Sequence, residues 1–400
     1  MTAALGVPQR SAPPLAVYVH WPYCARICPY CDFNVVRSRV GDEPARLARA
    51  IVRDLAGQAA ALGPRRLSSI FFGGGTPSLM SPDQVGEIVA AARALWPGDA
   101  AIEITLEANP TDAEAGRFAS FADAGVNRLS LGIQSLDDRA LAFLGRNHDA
   151  AQARRAARVA LTAFGQVSID LIYARPGQTT ADWARELSEA IALGAGHVSP
   201  YQLTIEPGTA FARAVERGAM TPVDEETGHA LYETTQDLLT NAGFEAYEVS
   251  NHAKAKVARS RHNLAYWRGW DYLGVGPGAH GRLSQNGSRT ATATASRVAD
   301  YIARVEATGV GVTDRSRLSP REVATERLLM GLRTDEGVVW SELAALALGP
   351  GHRVVTDLAA GGWLAVGSER LAATAKGRRV LDHITGALAA SPEEAPALGR

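Results

Sequence analysis

The sequence is poor in cysteine, in aromatic residues and in net charge. Its 400 residues include only three cysteines, 6% are aromatic, and 41 lysines and arginines nearly balance 42 acidic residues. This balance leaves no basic footprint for nucleic acid, and an odd number of cysteines argues against a disulfide framework. No apolar run approaches the ~20 residues of a membrane span, and no signal peptide is recognisable before Pro14. We therefore expect a cytoplasmic protein with neither a transmembrane segment nor a nucleic-acid partner.

The three cysteines lie within eight positions, as Cys24, Cys28 and Cys31. Their C-x3-C-x2-C spacing lets one short loop carry three thiolates to three corners of a [4Fe–4S] cluster. The fourth iron then stays open and can bind a small molecule. A zinc site that adds His20 is an alternative, although zinc sites usually pair C-x2-C knuckles. A reactive catalytic thiol is a further alternative, but no motif singles out one of the three.

Six units of a strand followed by a helix are predicted between Ala16 and about Gly208. The predicted strands are Ala16–His20, Ser69–Phe72, Ala101–Leu106, Asn127–Ile133, Val167–Ile172 and Val198–Ile205. Such alternation predicts a parallel sheet with right-handed crossovers, and six units rather than eight indicate an incomplete, TIM-like (β/α)6 barrel. Polar or glycine-rich residues follow the strands, at the face that carries the chemistry in barrels of this class.

The remaining chain is predicted to form an extension and a small module. We assign residues 15–210 to the α/β barrel, 211–310 to a barrel extension, and 311–385 to a mainly helical, winged-helix-like domain. Residues 1–14 and 386–400 are expected to be flexible tails. Within the extension, Arg261–His280 is interpreted as a loop rich in aromatic residues and glycine, and Asn286–Thr294 as a linker or hairpin.

Several residues after the predicted strands suit a small zwitterionic ligand. Gly73-Gly74-Gly75 presents backbone without side chains, which allows a ligand to approach closely. Glu107 can accept hydrogen bonds from ribose hydroxyls, and Arg146 can pair with a carboxylate. Gln134 and Asp170 are further polar candidates at strand ends. Each of these residues, taken alone, is equally compatible with an ordinary turn or surface position.

Together these motifs resemble the oxygen-independent coproporphyrinogen III oxidase family of radical S-adenosylmethionine (SAM) proteins, from about Tyr18 to His280. The segments that carry the resemblance are Tyr18–Pro22, Cys24–Cys31, Gly73–Pro77, Glu107–Pro110, Gly132–Ser135, Leu144–Arg146 and Ser168–Leu171. The resemblance implies that SAM binds the open iron of the cluster. It also implies a SAM pocket lined by Tyr18, Tyr30, Gly74, Gly75, Thr76, Glu107, Gln134, Arg146 and Asp170.

The family has two branches, and the residues after Cys31 favour one of them. In the oxidase branch another cysteine follows after one intervening residue, whereas this chain has Asp32 and then Phe33. Cys31–Asn34 and the His-Asn-x-x-Tyr-Trp segment His262–Trp267 resemble the haem-chaperone (HemW-type) branch. That branch implies a protein that binds haem and delivers it to apo-acceptors, respiratory proteins among the candidates, with transient membrane contact. The alternative is a radical SAM coproporphyrinogen III dehydrogenase that oxidatively decarboxylates its porphyrin substrate.

One segment departs from the family pattern. The family usually has Gly-Leu-Pro-Gly after the fifth strand, whereas this chain has Ala174-Arg175-Pro176-Gly177. We expect the added methyl group and the guanidinium to alter the wall of the SAM pocket.

A haem chaperone needs an apolar slot, an axial ligand and cations for the propionates. His262 is the first candidate for the axial ligand because Tyr266 and Trp267 follow it in the chain. His252 and His280 are the second-choice candidates. The cations considered for the propionates are Arg259, Arg261 and Arg268. In the alternative interpretation, His262 and Asn263 only hydrogen-bond their loop onto the barrel mouth.

Overall fold

The computed structural model describes residues 12–38 and 41–390, which form one large mixed sheet with helices around it and a small C-terminal domain. The strands of the main part are β1 (Pro14–Trp21), β2 (Tyr23–Cys24), β3 (Val36–Arg37), β4 (Arg66–Gly74), β5 (Gly98–Ala108), β6 (Arg128–Gln134), β7 (Gln166–Tyr173), β8 (His197–Gln202), β9 (Glu245–Glu248), β10 (Asn251–Ala253), β11 (Asp271–Val275), β12 (His280–Gln285), β13 (Ser288–Thr294) and β14 (Val312–Leu318). Its helices are α1 (Glu43–Leu62), α2 (Pro82–Leu95), α3 (Asp112–Ala115), α4 (Phe118–Asp123), α5 (Asp138–Phe143), α6 (Ala150–Ala163), α7 (Thr180–Ala192), α8 (Ala210–Glu216), α9 (Glu225–Asn241), α10 (Arg261–Trp267) and α11 (Val298–Thr308), with 3-10 turns at Pro77–Leu79 and Lys256–Ala258.

The large sheet has the strand order β14-β13-β12-β11-β1-β4-β5-β6-β7-β8-β10-β9. The six predicted strands are β1 and β4 to β8, they pair in parallel, and the predicted α/β class is confirmed. The edge strands β14 and β9 are not paired with each other among the described residues, so the barrel stays open. The helices bury apolar faces against this sheet, as α1 does with Leu47, Ile51 and Leu55 at helical spacing.

A seventh parallel strand lies in the segment that was predicted to be a loop. Arg261–His280 contains α10 and β11, and β11 pairs in parallel with β1 on the side opposite β4. The loop prediction was wrong because β11 is only five residues long and is followed by Gly276. Gly276 has φ +96°, and a Cβ there would lie 2.1 Å from the His20 carbonyl oxygen, so only glycine fits. The predicted hairpin at Asn286–Thr294 is confirmed, since β13 pairs with β12.

The C-terminal domain has its own apolar core, built around Leu328, Val355 and Leu371. Its elements are α12 (Pro320–Gly331), β15 (Val338–Val339), a 3-10 helix (Trp340–Leu346), α13 (Arg353–Ala360), β16 (Leu364–Val366), β17 (Arg370–Ala373), α14 (Ala375–Arg378) and α15 (Leu381–Ala389). Three strands pack with helices, in line with the predicted winged-helix-like character.

The predicted boundaries need two adjustments. β14 covers residues 312–318 and belongs to the large sheet, so the small domain begins after residue 318 rather than at 311. α15 runs to Ala389, beyond the predicted start of the tail at residue 386. Most of the two predicted tails, residues 1–11 and 391–400, lies outside the described residues. No helix within residues 12–38 and 41–390 combines the length and apolarity that crossing a bilayer requires.

Candidate functional site

A cavity of about 440 Å³ opens at the carboxyl ends of the parallel strands, below the loop that carries the cysteines. The predicted site residues on its wall are Cys24, Tyr30, Cys28, Cys31, Gly74, Gly75, Thr76, Glu107, Gln134, Arg146 and Asp170. The other two predicted residues, Tyr18 and His262, do not line it. The structure therefore brings together predicted residues from four parallel strands, β4 to β7, with Arg146 and the cysteine loop, as an α/β fold of this class does at its functional face.

The cysteine loop is held at both ends by main-chain hydrogen bonds. Cys24 lies on β2, which pairs in parallel with β3, and its carbonyl accepts a hydrogen bond from Ser38 N. Cys24 is buried, whereas Cys28 and Cys31 are half-buried. Burial raises the pKa of the Cys31 thiol to about 11 and also raises that of Cys24. Burial thus favours the protonated form of these two thiols unless a metal centre displaces the protons.

The zinc alternative does not fit the surroundings of His20. Its Nδ1 lies 3.1 Å from the Tyr18 hydroxyl and its Nε2 lies 2.8 Å from the Asn34 carbonyl oxygen, so neither nitrogen is free to bind a metal. Among the residues that the structure describes, no three His, Cys, Asp or Glu side chains converge on the position of a single metal ion. The cysteine loop is instead a set of three thiols at the mouth of a larger cavity.

Arg146 places a cation against this loop. Its Nη1 donates to Cys28 Sγ at 3.3 Å and to the Tyr30 hydroxyl at 3.4 Å, and its Nη2 donates to the Gly132 carbonyl at 3.0 Å and to Asn109 Oδ1. Its buried Nε has no hydrogen-bond partner in the described chain. An arginine with a spare donor beside an open cavity suits a carboxylate-bearing ligand.

Glu107 and Asp170 supply two carboxyl groups on the opposite wall. Glu107 Oε2 accepts a hydrogen bond from Gly74 N at 3.2 Å, and burial together with the nearby Asp170 raises its pKa to about 8. Asp170 accepts a hydrogen bond from Ser130 Oγ at 2.7 Å, and burial raises its pKa to about 6. Asp170 Oδ1 is buried without a partner among the described residues. These two carboxyl groups, of which Asp170 has an unsatisfied acceptor oxygen, fit the hydroxyl groups of a ligand. Asp170 lies inside β7, not at its end as predicted.

The end of the glycine triplet also has a packing role, in addition to its predicted place on the cavity wall. Gly75 N donates to the Trp21 carbonyl and Thr76 N donates to the Tyr23 carbonyl, both at 2.8 Å. A Cβ on Gly75 would lie 2.7 Å from Tyr23 O and 2.9 Å from Pro22. Gly75 therefore lets the end of β4 pack closely against the cysteine loop.

The deeper wall of the cavity consists of polar residues that the sequence analysis did not select. They are Arg128, Ser130, Ser168, His197, Ser199, Tyr201 and Asn251. On β6, β7 and β8 these residues alternate with buried apolar ones, and the pairing Ser130–Ser168 and Asp170–Ser199 brings them side by side. Polar residues at every second position of an otherwise apolar strand are the signal that could have revealed them.

The Ala174-Arg175 departure does not alter the cavity wall. Arg175 is buried, and its guanidinium forms an ion pair with Glu186 on α7 and donates to Ser135 Oγ at 2.8 Å. Neither Ala174 nor Arg175 lines the cavity, so the expected change of the SAM pocket was wrong. Ala174 has φ +58°, a left-handed conformation that glycine adopts more easily and that accounts for glycine in the usual pattern.

His262 is placed where it cannot serve as an exposed ligand. It is 1% exposed, its Nδ1 lies 3.0 Å from Ser69 Oγ, and its Nε2 lies 2.9 Å from the Tyr266 hydroxyl. Burial lowers its pKa to about 3, and Phe71 stacks on its ring. The geometry matches the alternative in which His262 anchors its segment to the sheet, and it leaves no ring nitrogen for haem.

The other haem candidates differ from one another in exposure. His252 is buried and contacts Gln236, whereas His280 is exposed. Two arginines considered for propionates are already paired: Arg259 with Asp335 and Glu245, and Arg268 with Glu336. Tyr18 lines a second, adjacent cavity that also includes Glu107 and Gly74.

Comparison with known families agrees with this arrangement. Residues 18–190 match the model of the radical SAM superfamily, and residues 318–380 match the model of the HemN C-terminal domain. The fold and the three-cysteine site thus define a radical SAM protein. Membership of this superfamily implies SAM and a [4Fe–4S] cluster as cofactors.

Individual relatives narrow the class. The chain is 40% identical to the mitochondrial radical S-adenosyl methionine domain-containing protein 1 of Bos taurus, over 98% of this chain and 91% of that relative. It is also 40% identical to the heme chaperone HemW of Escherichia coli, over 71% of this chain and 74% of HemW. The structure of coproporphyrinogen III oxidase (HemN) from Escherichia coli superposes with a TM-score of 0.79 at 21% identity, over 94% of this chain and 90% of HemN, and shows the shared fold. The chain therefore belongs to the HemW-type branch of the radical SAM proteins related to HemN.

Proposed function

We propose that this protein binds haem and transfers it to acceptor haem proteins, and that it carries a SAM-bound [4Fe–4S] cluster on Cys24, Cys28 and Cys31. The observation that carries the proposal is the 34–41% identity to proteins named heme chaperone HemW. Phe33 supports the same branch, because it occupies the position at which the oxidase branch has a further cysteine.

The cavity contains the groups that SAM would need. When bound, the reduced cluster supplies one electron to the sulfonium group of SAM. Arg146, with its unpaired Nε, would hold the carboxylate of the amino-acid moiety. Glu107 and Asp170 would accept hydrogen bonds from the ribose hydroxyls, since both line the cavity and Asp170 Oδ1 has no partner among the described residues. Tyr30 lies between two of the cysteines and would contact the adenosyl group.

Respiratory haem proteins are the acceptors we propose, with a cytoplasmic location and transient contact with the membrane surface. Haem would have to leave the protein easily, so a surface site with one protein ligand suits transfer better than a buried site with two. An exposed histidine beside the cysteine loop would meet this requirement.

The test combines haem binding and haem transfer. Protein reconstituted anaerobically with iron and sulfide is titrated with haem while absorption and EPR spectra are recorded, and then mixed with apomyoglobin as a generic acceptor. We expect stoichiometric haem binding, a reducible cluster whose EPR signal changes with SAM, and a Soret spectrum that moves to that of myoglobin. Absence of haem binding would refute the proposal.

A parallel incubation separates the chaperone from the enzyme. The reconstituted protein is supplied with reductant, SAM and coproporphyrinogen III, and the porphyrins are analysed after oxidation. We expect no decarboxylated product. Formation of protoporphyrinogen IX would establish the dehydrogenase activity and would exclude a protein that acts only as a chaperone.

A further inference from the structure

A second cavity, of about 550 Å³, lies beside the first and opens next to the same loop. Residues on its wall include Tyr18, His20, Asp32, Phe33, Tyr272 and His280. Both cavities are lined by Gly74, Glu107, Asp32 and Phe33, so the two cavities are direct neighbours. Its volume falls within the ~300–1,000 Å³ that is usual for cofactor sites. The predicted SAM residues on this wall are Tyr18, Gly74 and Glu107, of which Gly74 and Glu107 also line the first cavity.

His280 is the group on this wall that is free to bind a metal. It lies exposed at the beginning of β12, and its imidazole makes no hydrogen bond within the described part of the chain. The other histidine on the wall, His20, is buried with both ring nitrogens engaged, and His262 behind it is occupied in the same way. An imidazole with an open nitrogen at the mouth of a cavity is the common protein ligand of haem iron.

The loop beside His280 exposes more apolar surface than a solvated loop needs. Phe33 is 60% exposed, Ile27 46% and Val36 39%, and of these three only Phe33 lines the second cavity. Exposed apolar side chains that cluster on one short loop indicate a surface that an apolar ligand covers. The same loop carries Arg26 and Arg37, which are exposed and have no ion-pair partner among the described residues. Apolar side chains next to unpaired guanidinium groups suit a planar apolar ring that carries carboxylates.

We propose that an iron porphyrin binds at this second cavity, with His280 as the axial ligand of the iron and Phe33 in contact with the macrocycle. The inference rests on the proposed function, because it takes haem as the cargo, and it locates the cargo outside the His-Asn-x-x-Tyr-Trp segment. Neither Arg26, which lines the first cavity, nor Arg37 lines the second one, so the propionates would have to extend beyond the second cavity to meet these cations. One ligand from an exposed strand end gives a haem that an acceptor can remove.

The position of Phe33 links haem binding to the cluster. Phe33 follows Cys31 by two residues, and Asp32 between them lines both cavities. A cluster bound to the three cysteines would fix the loop that forms the haem surface. Protein with a cluster should therefore bind haem more tightly than the same protein without one.

The experiment is a haem titration of four proteins, each reconstituted with its cluster: the unmodified chain, His280→Ala, Phe33→Ala and His383→Ala. His383 is a matched control because it is also exposed, on the C-terminal domain. We expect His280→Ala to weaken haem binding about tenfold or more and to shift the Soret band, with recovery on addition of imidazole. Phe33→Ala should weaken binding several-fold with little change in the Soret position, and His383→Ala should behave as the unmodified chain.

The outcomes separate this inference from the proposed function. If the unmodified chain binds no haem, both fail. If the unmodified chain binds haem and His280→Ala binds it with the same affinity and spectrum, this inference is wrong while the proposed function stands. An equal loss in His383→Ala would reveal unspecific binding to surface histidines and would also overturn the assignment. Circular dichroism of each variant checks folding, which these exposed positions should leave unchanged.

Discussion

Replacing Arg175 by leucine, the residue usual in the family pattern, should destabilise this protein without touching its SAM site. Arg175 and Glu186 are 7% and 8% exposed, and the guanidinium also donates to Ser135. Arg175→Leu leaves the buried carboxylate of Glu186 without its cation. Loss of one partner from a buried ion pair costs about 3–5 kcal/mol in the free energy of unfolding. The hydrogen bond from Leu136 N to Glu186, at 2.8 Å, would offset only part of this cost.

The prediction is tested by measuring the stability of the variant and its affinity for SAM. Urea denaturation followed by circular dichroism should show the loss of about 3–5 kcal/mol, and the melting temperature should fall by about 5 °C for a chain of this size. Arg139→Leu makes the same chemical change at an exposed arginine and should stay within about 0.5 kcal/mol of the unmodified chain. Adding Glu186→Gln to Arg175→Leu removes the unpaired charge and should restore part of the loss.

Two results would refute this reasoning. If Arg175→Leu were as stable as the Arg139→Leu control, the ion pair would not contribute as its burial implies. If Arg175→Leu changed the affinity for SAM more than about threefold, measured by calorimetry on folded protein, the side chain would act on the cavity after all.

Three further predictions test the site and the domain contact. Cys28→Ser should lose the iron–sulfur absorption after reconstitution, and a variant with the full spectrum would exclude Cys28 as a ligand. The pKa of Glu107 is raised from 4.5 to about 8, so the folded chain holds a proton that the unfolded chain releases between these pH values. The free energy of unfolding of ligand-free protein should therefore fall as pH rises through this window. We expect a fall of about 1–2 kcal/mol, because the carboxyl group faces an open cavity. In Glu107→Gln the free energy of unfolding, measured by denaturation at a series of pH values, should change less over the same window. Arg333→Met should cost about 3 kcal/mol in urea denaturation because Glu248 is buried beside it, whereas Arg353→Met, at an exposed pair, should cost less than about 1 kcal/mol.

Local patterns were sufficient for the framework of the site. The spacing of Cys24, Cys28 and Cys31 depends only on neighbouring residues, and the structure places all three on one cavity wall. The six strands were predictable because each combines a buried apolar run with turn residues at its end. The polar residues after the strands converge because the carboxyl ends of parallel strands meet at one edge of the sheet.

Contacts between distant residues decided what the local patterns left open. β11 is a strand because β1 pairs with it, and its five residues alone carry too little periodicity to be recognised. The two nitrogens of His262 are engaged because Ser69, which is 193 positions away, and Tyr266 lie against them. Arg175 turns away from the cavity because Glu186 on α7 offers a buried partner.

The sequence by itself thus determined the class of fold, the cysteine loop and the part of the cavity wall next to it, because periodicity and spacing are local properties of the chain. Only the tertiary structure decided which histidine is exposed, which arginines are already paired and which loop presents apolar surface. Those features depend on packing between segments far apart in the chain, and a side chain becomes available to a ligand only when no such segment occupies it.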